Sequence, residues 1–100
     1  MFIYNVTTNV EKEIHDEWFD WMKNTHVHNV MKTGIFTDYK MLRLLNEEEL
    51  NTGITYAVQY YCNTLDEMEF YLQNHAPTLR KESARFEGKY VAFRTFLQEV

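Results

Sequence analysis

Residues 53–72 read GITYAVQYYCNTLDEMEFYL, and this stretch decides the fold. Its first ten residues, 53–62, are rich in β-branched and aromatic side chains, which favours a β-strand. Thr64 and Glu67 then form the Thr-x-x-Glu pattern of a capping box, in which the threonine side chain accepts a hydrogen bond from the Glu67 amide. The sequence therefore predicts a strand followed directly by a helix that begins at Leu65.

The pattern after Leu65 predicts one long helix with a single buried face. Apolar residues recur every three or four positions, as expected for a helix that packs on a sheet. The predicted core-facing positions are Leu65, Met68, Leu72, Ala76, Leu79, Ser83 and Phe86. Pro77 removes one backbone hydrogen bond, so we expect a kink near Asn74. Gly88 ends this helix, and residues 89–99 (KYVAFRTFLQE) predict a final strand.

Upstream of this stretch the sequence predicts two further strands and another helix. Residues 2–8 (FIYNVTT) and 35–45 (IFTDYKMLRLL) have strand composition, and an acidic loop, residues 46–52, follows the second. Between the two strands, Trp18 and Trp21 lie on one helical stripe, whereas Val27 and Val30 lie on another face. We therefore expect a break after Thr25. Gly34 is the expected C-cap of the helix, because glycine adopts the left-handed conformation at low cost.

The order β-α-β-β-α-β predicts an α+β protein of the ferredoxin-like class. Right-handed crossovers give a four-stranded antiparallel sheet with both helices on one face and the first and third strands in the centre. We expect all of residues 1–100 to form a single domain, which is the usual size for a chain of this length. Both faces of the third and fourth strands carry bulky residues, but two helices can cover only one face. The sequence therefore predicts a homodimer that pairs sheet to sheet.

Composition excludes several classes of protein. With 45% hydrophobic and 25% charged residues, the chain resembles a globular protein and contains no stretch suited to a membrane span. A net charge of −5 argues against nucleic acid as a partner, because such binders need clustered cations. The amino end does not have the pattern of a signal peptide, and one cysteine, Cys62, cannot form an intrachain disulfide. We therefore expect a cytoplasmic protein.

Several motifs resemble a family of short bacterial proteins known only as a domain of unknown function. They are IYNVT-x-NV from Ile3, H-x-E-W-x-x-W-M from His15, a later His26, TG-x-F from Thr33, TYxVQY from Thr55, AP-x-LR from Ala76 and VAFRT from Val91. His28 stands where the family pattern has proline. The resemblance implies the fold of the dimeric α/β-barrel proteins, in which two sheets form a shared barrel. That superfamily includes small monooxygenases, haem-degrading enzymes, isomerases and regulatory ligand-binding domains, so fold alone does not select a function.

Six residues are candidates for a ligand site. The polar residues Asn5, Gln59 and Arg94 interrupt apolar strands, and buried polar groups must find partners in the protein or in a ligand. Trp18 and Trp21 provide one aromatic wall in the predicted cleft between the first helix and the sheet, or else simply core packing. His26 completes the set as a candidate proton carrier. Structural roles remain the alternative for each of these residues.

The sequence predicts neither a metal site nor a cofactor. His26 and His28 form an H-x-H pair, but residues two apart on a helix point in nearly opposite directions and cannot share an ion. No paired cysteines, Ser-His-Asp order or glycine-rich phosphate loop is present.

Three functional hypotheses follow from these observations. The first is a homodimeric domain that binds a small apolar or aromatic molecule in a binding or regulatory role. The second is a cofactor-free enzyme of the monooxygenase or isomerase type, in which His26 or a tyrosine handles a proton. The third is a structural interaction protein without a small-molecule site. A deep cleft would favour either of the first two hypotheses, and a packed interior would favour the third.

Overall fold

The computed structural model describes residues 1–46 and 53–100 and contains a four-stranded antiparallel sheet. The strands are β1 (Phe2–Glu11), β2 (Asp38–Arg43), β3 (Gly53–Cys62) and β4 (Tyr90–Gln98). Their order is β2-β3-β1-β4, which confirms that the first and third strands are central. Most of the predicted acidic loop, residues 47–52, lies outside the described residues. The second strand is shorter than the predicted 35–45 because pairing with β3 runs only from Asp38 to Arg43.

The first helical region consists of several short segments, which confirms the predicted break. A 3₁₀ turn at Lys12–Ile14 leads into α1 (His15–Trp21), then a π-helical turn at Met22–His26, then α2 (Val27–Met31). A π turn holds one residue more than an α turn and so rotates the positions that follow it. Because of this rotation, Val27 and Val30 are buried in the same core as Trp18, although a regular α-helix would place them on a different face from Trp18. Gly34 ends the region at a φ of 77°, as predicted.

The second helical region breaks near the predicted position. Helix α3 (Leu65–Asn74) is followed by α4 (Ala76–Arg80) and a 3₁₀ turn at Lys81–Phe86. His75, two residues before Pro77, leaves the helical conformation with φ −120° and ψ −40°. The Thr64 hydroxyl oxygen accepts from the Glu67 amide at 3.1 Å, which confirms the predicted N-cap.

The predicted buried stripe of this second region is partly wrong. Leu65 at the start of α3 is 53% exposed. Tyr71, which the stripe did not include, is buried in the core instead. Met68, Ala76, Leu79 and Phe86 are buried as predicted. Leu65 at the start of α3 therefore faces solvent, and the helix meets the core from Met68 onward.

The two faces of the sheet have different surroundings. Side chains alternate across a strand, so even-numbered residues of β1, β3 and β4 share one face and odd-numbered residues share the other. The even-numbered face packs against the helices and forms the core with Trp18, Met68 and Tyr71. No helix in the described part of the chain covers the odd-numbered face, which we call the open face. It carries exposed apolar side chains, with Val91 69% and Phe93 58% exposed.

No helix among the described residues is long and apolar enough to cross a membrane.

Candidate functional site

A pocket lies between the helix-facing side of the sheet and the two helical regions. Its volume is about 60 Å³, which is room for roughly four or five water molecules. The sheet forms the floor of the pocket. The first helical region contributes Trp18, Trp21 and His26, and the second contributes Leu79, Arg80 and Ser83. The strand residues that line it are Tyr4, Val6, Thr8, Val58, Tyr60, Tyr90, Ala92 and Arg94. The predicted cleft between the first helix and the sheet is therefore present.

Aromatic rings form much of the pocket wall. Trp18 is buried with its ring tilted against Tyr56 at 5.4 Å between centroids. Trp21 stacks on the imidazole of His26, with centroids 4.7 Å apart and planes 28° from parallel. Such rings offer large, rigid contact area to an apolar molecule.

Two arginines converge on one tyrosine at the polar side of the pocket. The Nε of Arg94 donates to the hydroxyl oxygen of Tyr4 at 3.0 Å, and an Nη of Arg80 donates to the same oxygen at 3.4 Å. Within residues 1–46 and 53–100, no carboxylate forms a salt bridge with either arginine. Both guanidinium groups therefore retain donors that could meet an acceptor in the pocket.

His26 is held by a carboxylate from the second helical region. Its Nδ1 lies 3.0 Å from Oε1 of Glu82, and Asn29 donates to both oxygens of that carboxylate at 3.2 and 3.3 Å. Burial lowers the pKa of His26 and Arg94 lowers it further, although Glu82 opposes both effects. His26 is therefore neutral at pH 7, with the Nδ1 proton donated to Glu82. This tautomer leaves Nε2 as a hydrogen-bond acceptor.

Two buried tyrosines of the pocket stay protonated. Burial raises the pKa of Tyr60 and of Tyr71 above the usual range of a tyrosine. The hydroxyl groups of Ser83 and Tyr90 lie 2.9 Å apart and form a hydrogen bond. Of the pocket groups described here, the neutral imidazole of His26 is the one best placed to accept a proton.

The structure brings together four of the six predicted site residues. Trp18, Trp21, His26 and Arg94 all line the pocket. Asn5 and Gln59 lie opposite each other in β1 and β3, but on the open face of the sheet. The expectation that all six residues line one cleft is therefore wrong, because an odd-numbered residue of these strands cannot share a face with Val6, Val58 and Arg94.

Asn5 and Gln59 have protein partners on the open face. The Asn5 side-chain amide donates to the hydroxyls of Thr7 and Thr95 at 3.1 and 3.0 Å. The hydroxyl of Tyr61 donates to the side-chain oxygen of Gln59 at 2.9 Å. The side-chain oxygen of Asn5 is buried and has no hydrogen-bond partner among the described residues.

Sequence reasoning missed the second half of the site. Arg80 and Glu82 were not among the predicted site residues, yet Arg80 lines the pocket and Glu82 binds His26. The available signal was Tyr4, an even-numbered residue of β1, whose buried hydroxyl required donors.

The two histidines of the H-x-H pair lie in different surroundings. His26 lines the pocket, whereas His28 is exposed with its ring edge-on to Tyr39 at 6.3 Å. Across the described ranges, no group of three His, Cys, Asp or Glu side chains could hold a metal ion.

Comparison with solved structures shows the fold. A dimeric ferredoxin-like protein from an uncultured marine organism superposes with a TM-score of 0.73 at 14% identity, covering 99% of this chain and 97% of its own. A protein of the EthD family from Bacillus halodurans superposes with a TM-score of 0.68 at 16% identity, covering 100% of both chains. A mutant of SnoaB, a cofactor-independent oxygenase from Streptomyces nogalater, superposes with a TM-score of 0.61 at 9% identity, covering 98% of this chain and 92% of its own.

Comparison of sequences identifies the family. No curated protein sequence matches the chain at a significant level. One family model, described as a domain of unknown function, matches residues 1–100, the whole chain. The fold that this chain shares with those structures is ferredoxin-like, with four antiparallel strands and helices on one face. The protein belongs to the DUF4286 family.

Proposed function

We propose that this protein is a homodimeric domain that binds a small aromatic molecule in the pocket between its sheet and its helices. The observation that carries the proposal is the pair of arginines at the polar side of a pocket lined mostly by aromatic and aliphatic side chains. An apolar cavity with a few converging polar groups is the usual form of a small-molecule site. Packing alone does not require Arg80 and Arg94 to meet over one tyrosine hydroxyl.

The size of the pocket limits the ligand. At about 60 Å³, the enclosed space is less than half of the roughly 150 Å³ cavity that accepts one benzene ring. A ligand with a single ring and one polar substituent would therefore be enclosed only in part, with the ring against Trp18 or Trp21 and the substituent toward Arg94. Fused ring systems would require the helices to move.

The open face supports a homodimer. Val91, Phe93 and Leu42 form an apolar surface that the described helices leave uncovered, and a monomer seldom exposes a large patch of this kind. Pairing two copies across a twofold axis buries the same patch on both chains. A structural neighbour described as dimeric has the same fold, which is compatible with a shared barrel. The pocket lies on the opposite side of the sheet and would stay accessible in such a dimer.

The remaining features of the proposal concern domain extent, location and partners. We propose that residues 1–100 act as one domain, which agrees with the extent of the family model. A reduced, buried Cys62 is compatible with the bacterial cytoplasm, where thiols are not oxidised. The net charge of −5 supports a small molecule rather than nucleic acid as the partner.

Ligand binding can be tested with two substitutions on the same strand. Ala92 lines the pocket, whereas its neighbour Val91 points to the open face. We expect Ala92→Phe to fill the pocket and abolish thermal shifts produced by single-ring aromatic acids and phenols. Val91→Phe, the matched control, should leave those shifts unchanged. If no such compound stabilises the wild type, or if Ala92→Phe retains full binding, the proposed site is wrong.

The dimer has its own test by sedimentation equilibrium. Wild type at micromolar concentration should sediment at twice the chain mass of 12.1 kDa. Phe93→Asp would place a carboxylate in the paired face and should shift the protein toward a monomer. The control Phe70→Asp changes an exposed phenylalanine of α3 and should leave the dimer intact. A monomeric wild type would contradict the dimer and leave the pocket proposal standing.

A further inference from the structure

The contacts of His26 allow the chemical class of the ligand to be narrowed. The imidazole is fixed on both sides, by Trp21 stacked on its face at 4.7 Å and by Glu82 at Nδ1 at 3.0 Å. Asn29 holds the Glu82 carboxylate in turn, with bonds to both oxygens. A neutral histidine whose Nδ1–H is bound to a carboxylate presents Nε2 as a positioned proton acceptor. The fold therefore orients a basic nitrogen on a side chain that lines the pocket.

The charges around His26 suit a ligand that gives up a proton. Glu82 would stabilise an imidazolium, while Arg94 and Arg80 bring positive charge to the pocket lining at the Tyr4 hydroxyl. Burial and Arg94 keep His26 neutral. An anion bound beside Arg94 would offset that positive charge and make protonation of His26 less costly. Ligand ionisation and histidine protonation would thus support each other.

We propose that the pocket binds single-ring phenols as phenolates, with His26 taking the phenol proton and Arg94 binding the phenolate oxygen. This inference rests on the proposed function and specifies its ligand. The phenol O–H bond breaks, its electron pair stays on the oxygen, and the proton forms an N–H bond at Nε2 of His26. The imidazolium is then paired with Glu82, and no oxidant or other reactant is needed. When the ligand leaves, the proton returns to it or to solvent.

The inference can be tested with 4-nitrophenol, whose neutral and ionised forms absorb at different wavelengths. The buffer is kept acidic enough for the free probe to be mostly neutral. We expect wild type to bind the probe with the absorption band of the phenolate. The methyl ether, 4-nitroanisole, has the same ring without an acidic proton and should bind about tenfold or more weakly.

Two variants identify the proton acceptor. His26→Gln should lose the phenolate band and retain its affinity for 4-nitroanisole. Glu82→Gln can still accept from Nδ1 but lacks the charge, so its phenolate band should weaken. His28→Gln, two residues along the same helical region, is the matched control and should behave as wild type.

The outcomes separate the two proposals. Binding of both probes with equal affinity and no phenolate band would overturn the phenolate inference and leave the proposed aromatic site intact. A phenolate band that persists in both His26→Gln and Glu82→Gln would show that the arginines alone ionise the probe, which also overturns the role of His26. Failure of wild type to bind either probe would contradict the proposed function itself.

Discussion

Both faces of the sheet carry apolar side chains, but the two faces differ in what covers them. On the helix face, Tyr4, Val58 and Tyr60 are buried within the protein's own core. On the open face, Val91 and Phe93 remain more than half exposed. The alternation of side chains along a strand shows which apolar residues share a face that needs to be buried. It does not show whether a helix or a second chain will cover that face.

The polar groups of the two faces differ in the same way. On the open face, Asn5 and Gln59 bind hydroxyls of neighbouring strand residues. On the helix face, Arg80, Arg94 and His26 come from separate elements and keep unused donors or acceptors. Asn5 and Gln59 on the open face therefore bind neighbouring strand residues, whereas the polar groups on the helix face are arranged around a space. This difference locates the candidate site behind the helices.

The largest expected effect is the loss of a core ring on the helix face. Trp18→Ala removes a side chain that is 1% exposed and should lower the free energy of unfolding by about 3–5 kcal/mol. Val91→Ala on the open face, where the side chain is 69% exposed, should lower it by less than about 1 kcal/mol when unfolding is measured on the monomer. Urea denaturation of both variants in the Phe93→Asp background, compared at equal concentration, measures the contrast. Similar losses for the two positions would contradict the division into a covered and an open face.

The sequence predicted the fold well where the relevant chemistry is local. The Thr64 cap, the break before Pro77 and the left-handed glycines at 34 and 88 follow from the residues at those positions. The π turn after Trp21 was detectable only as a break in spacing, and it is what brings His26 into the pocket. The alternation of side chains along β3 predicted that Gln59 and Val58 lie on opposite faces of the sheet. It did not predict which of the two faces packs against Trp18.

The candidate site was predicted only in part because it joins distant segments. Trp18, Trp21, His26 and Arg94 were identified individually from their residue types and positions. The contacts of Glu82 with His26 and Asn29 span 56 and 53 residues and depend on how two broken helices pack together. The spacing of apolar residues along helices and strands does not predict that arrangement. A buried tyrosine hydroxyl or imidazole on the helix face indicates that a partner exists, but not which residue it is.

A smaller effect on the free energy of unfolding is expected for a substitution of Asn5 on the open face. Asn5→Leu removes the hydrogen bonds to Thr7 and Thr95, and it also removes the buried side-chain oxygen that lacks a described partner. These changes oppose each other, so the free energy of unfolding should fall by about 1 kcal/mol. Gln59→Leu should lower the free energy of unfolding by less than Asn5→Leu does, because Tyr61 is only half-buried and its hydroxyl can bind water.

Binding assays on these two variants test whether the open face takes part in ligand binding. Asn5 and Gln59 were predicted to orient a ligand, and their position on the open face leads us to expect unchanged thermal shifts with phenols. Loss of ligand binding in either variant without loss of stability would show that the open face also contributes to a site. Sedimentation of the same variants would show whether that contribution acts through the dimer.

The smallest expected effect is a pH dependence that arises from the helix face alone. Burial and Arg94 lower the pKa of His26 below its ordinary value of 6.5, so the folded protein binds fewer protons than the unfolded chain in mildly acidic solution. The free energy of unfolding should therefore fall as the pH drops below about 6.5 and should stop falling on account of His26 once the pH is below its folded pKa. His26→Gln removes this contribution, and its stability should depend less on pH between 7 and 5 than that of wild type or of His28→Gln. Guanidinium denaturation at several pH values measures the slopes. Equal slopes in the three proteins would mean that Glu82 compensates fully for the burial of His26, and the imidazole would then be protonated as readily as one in water.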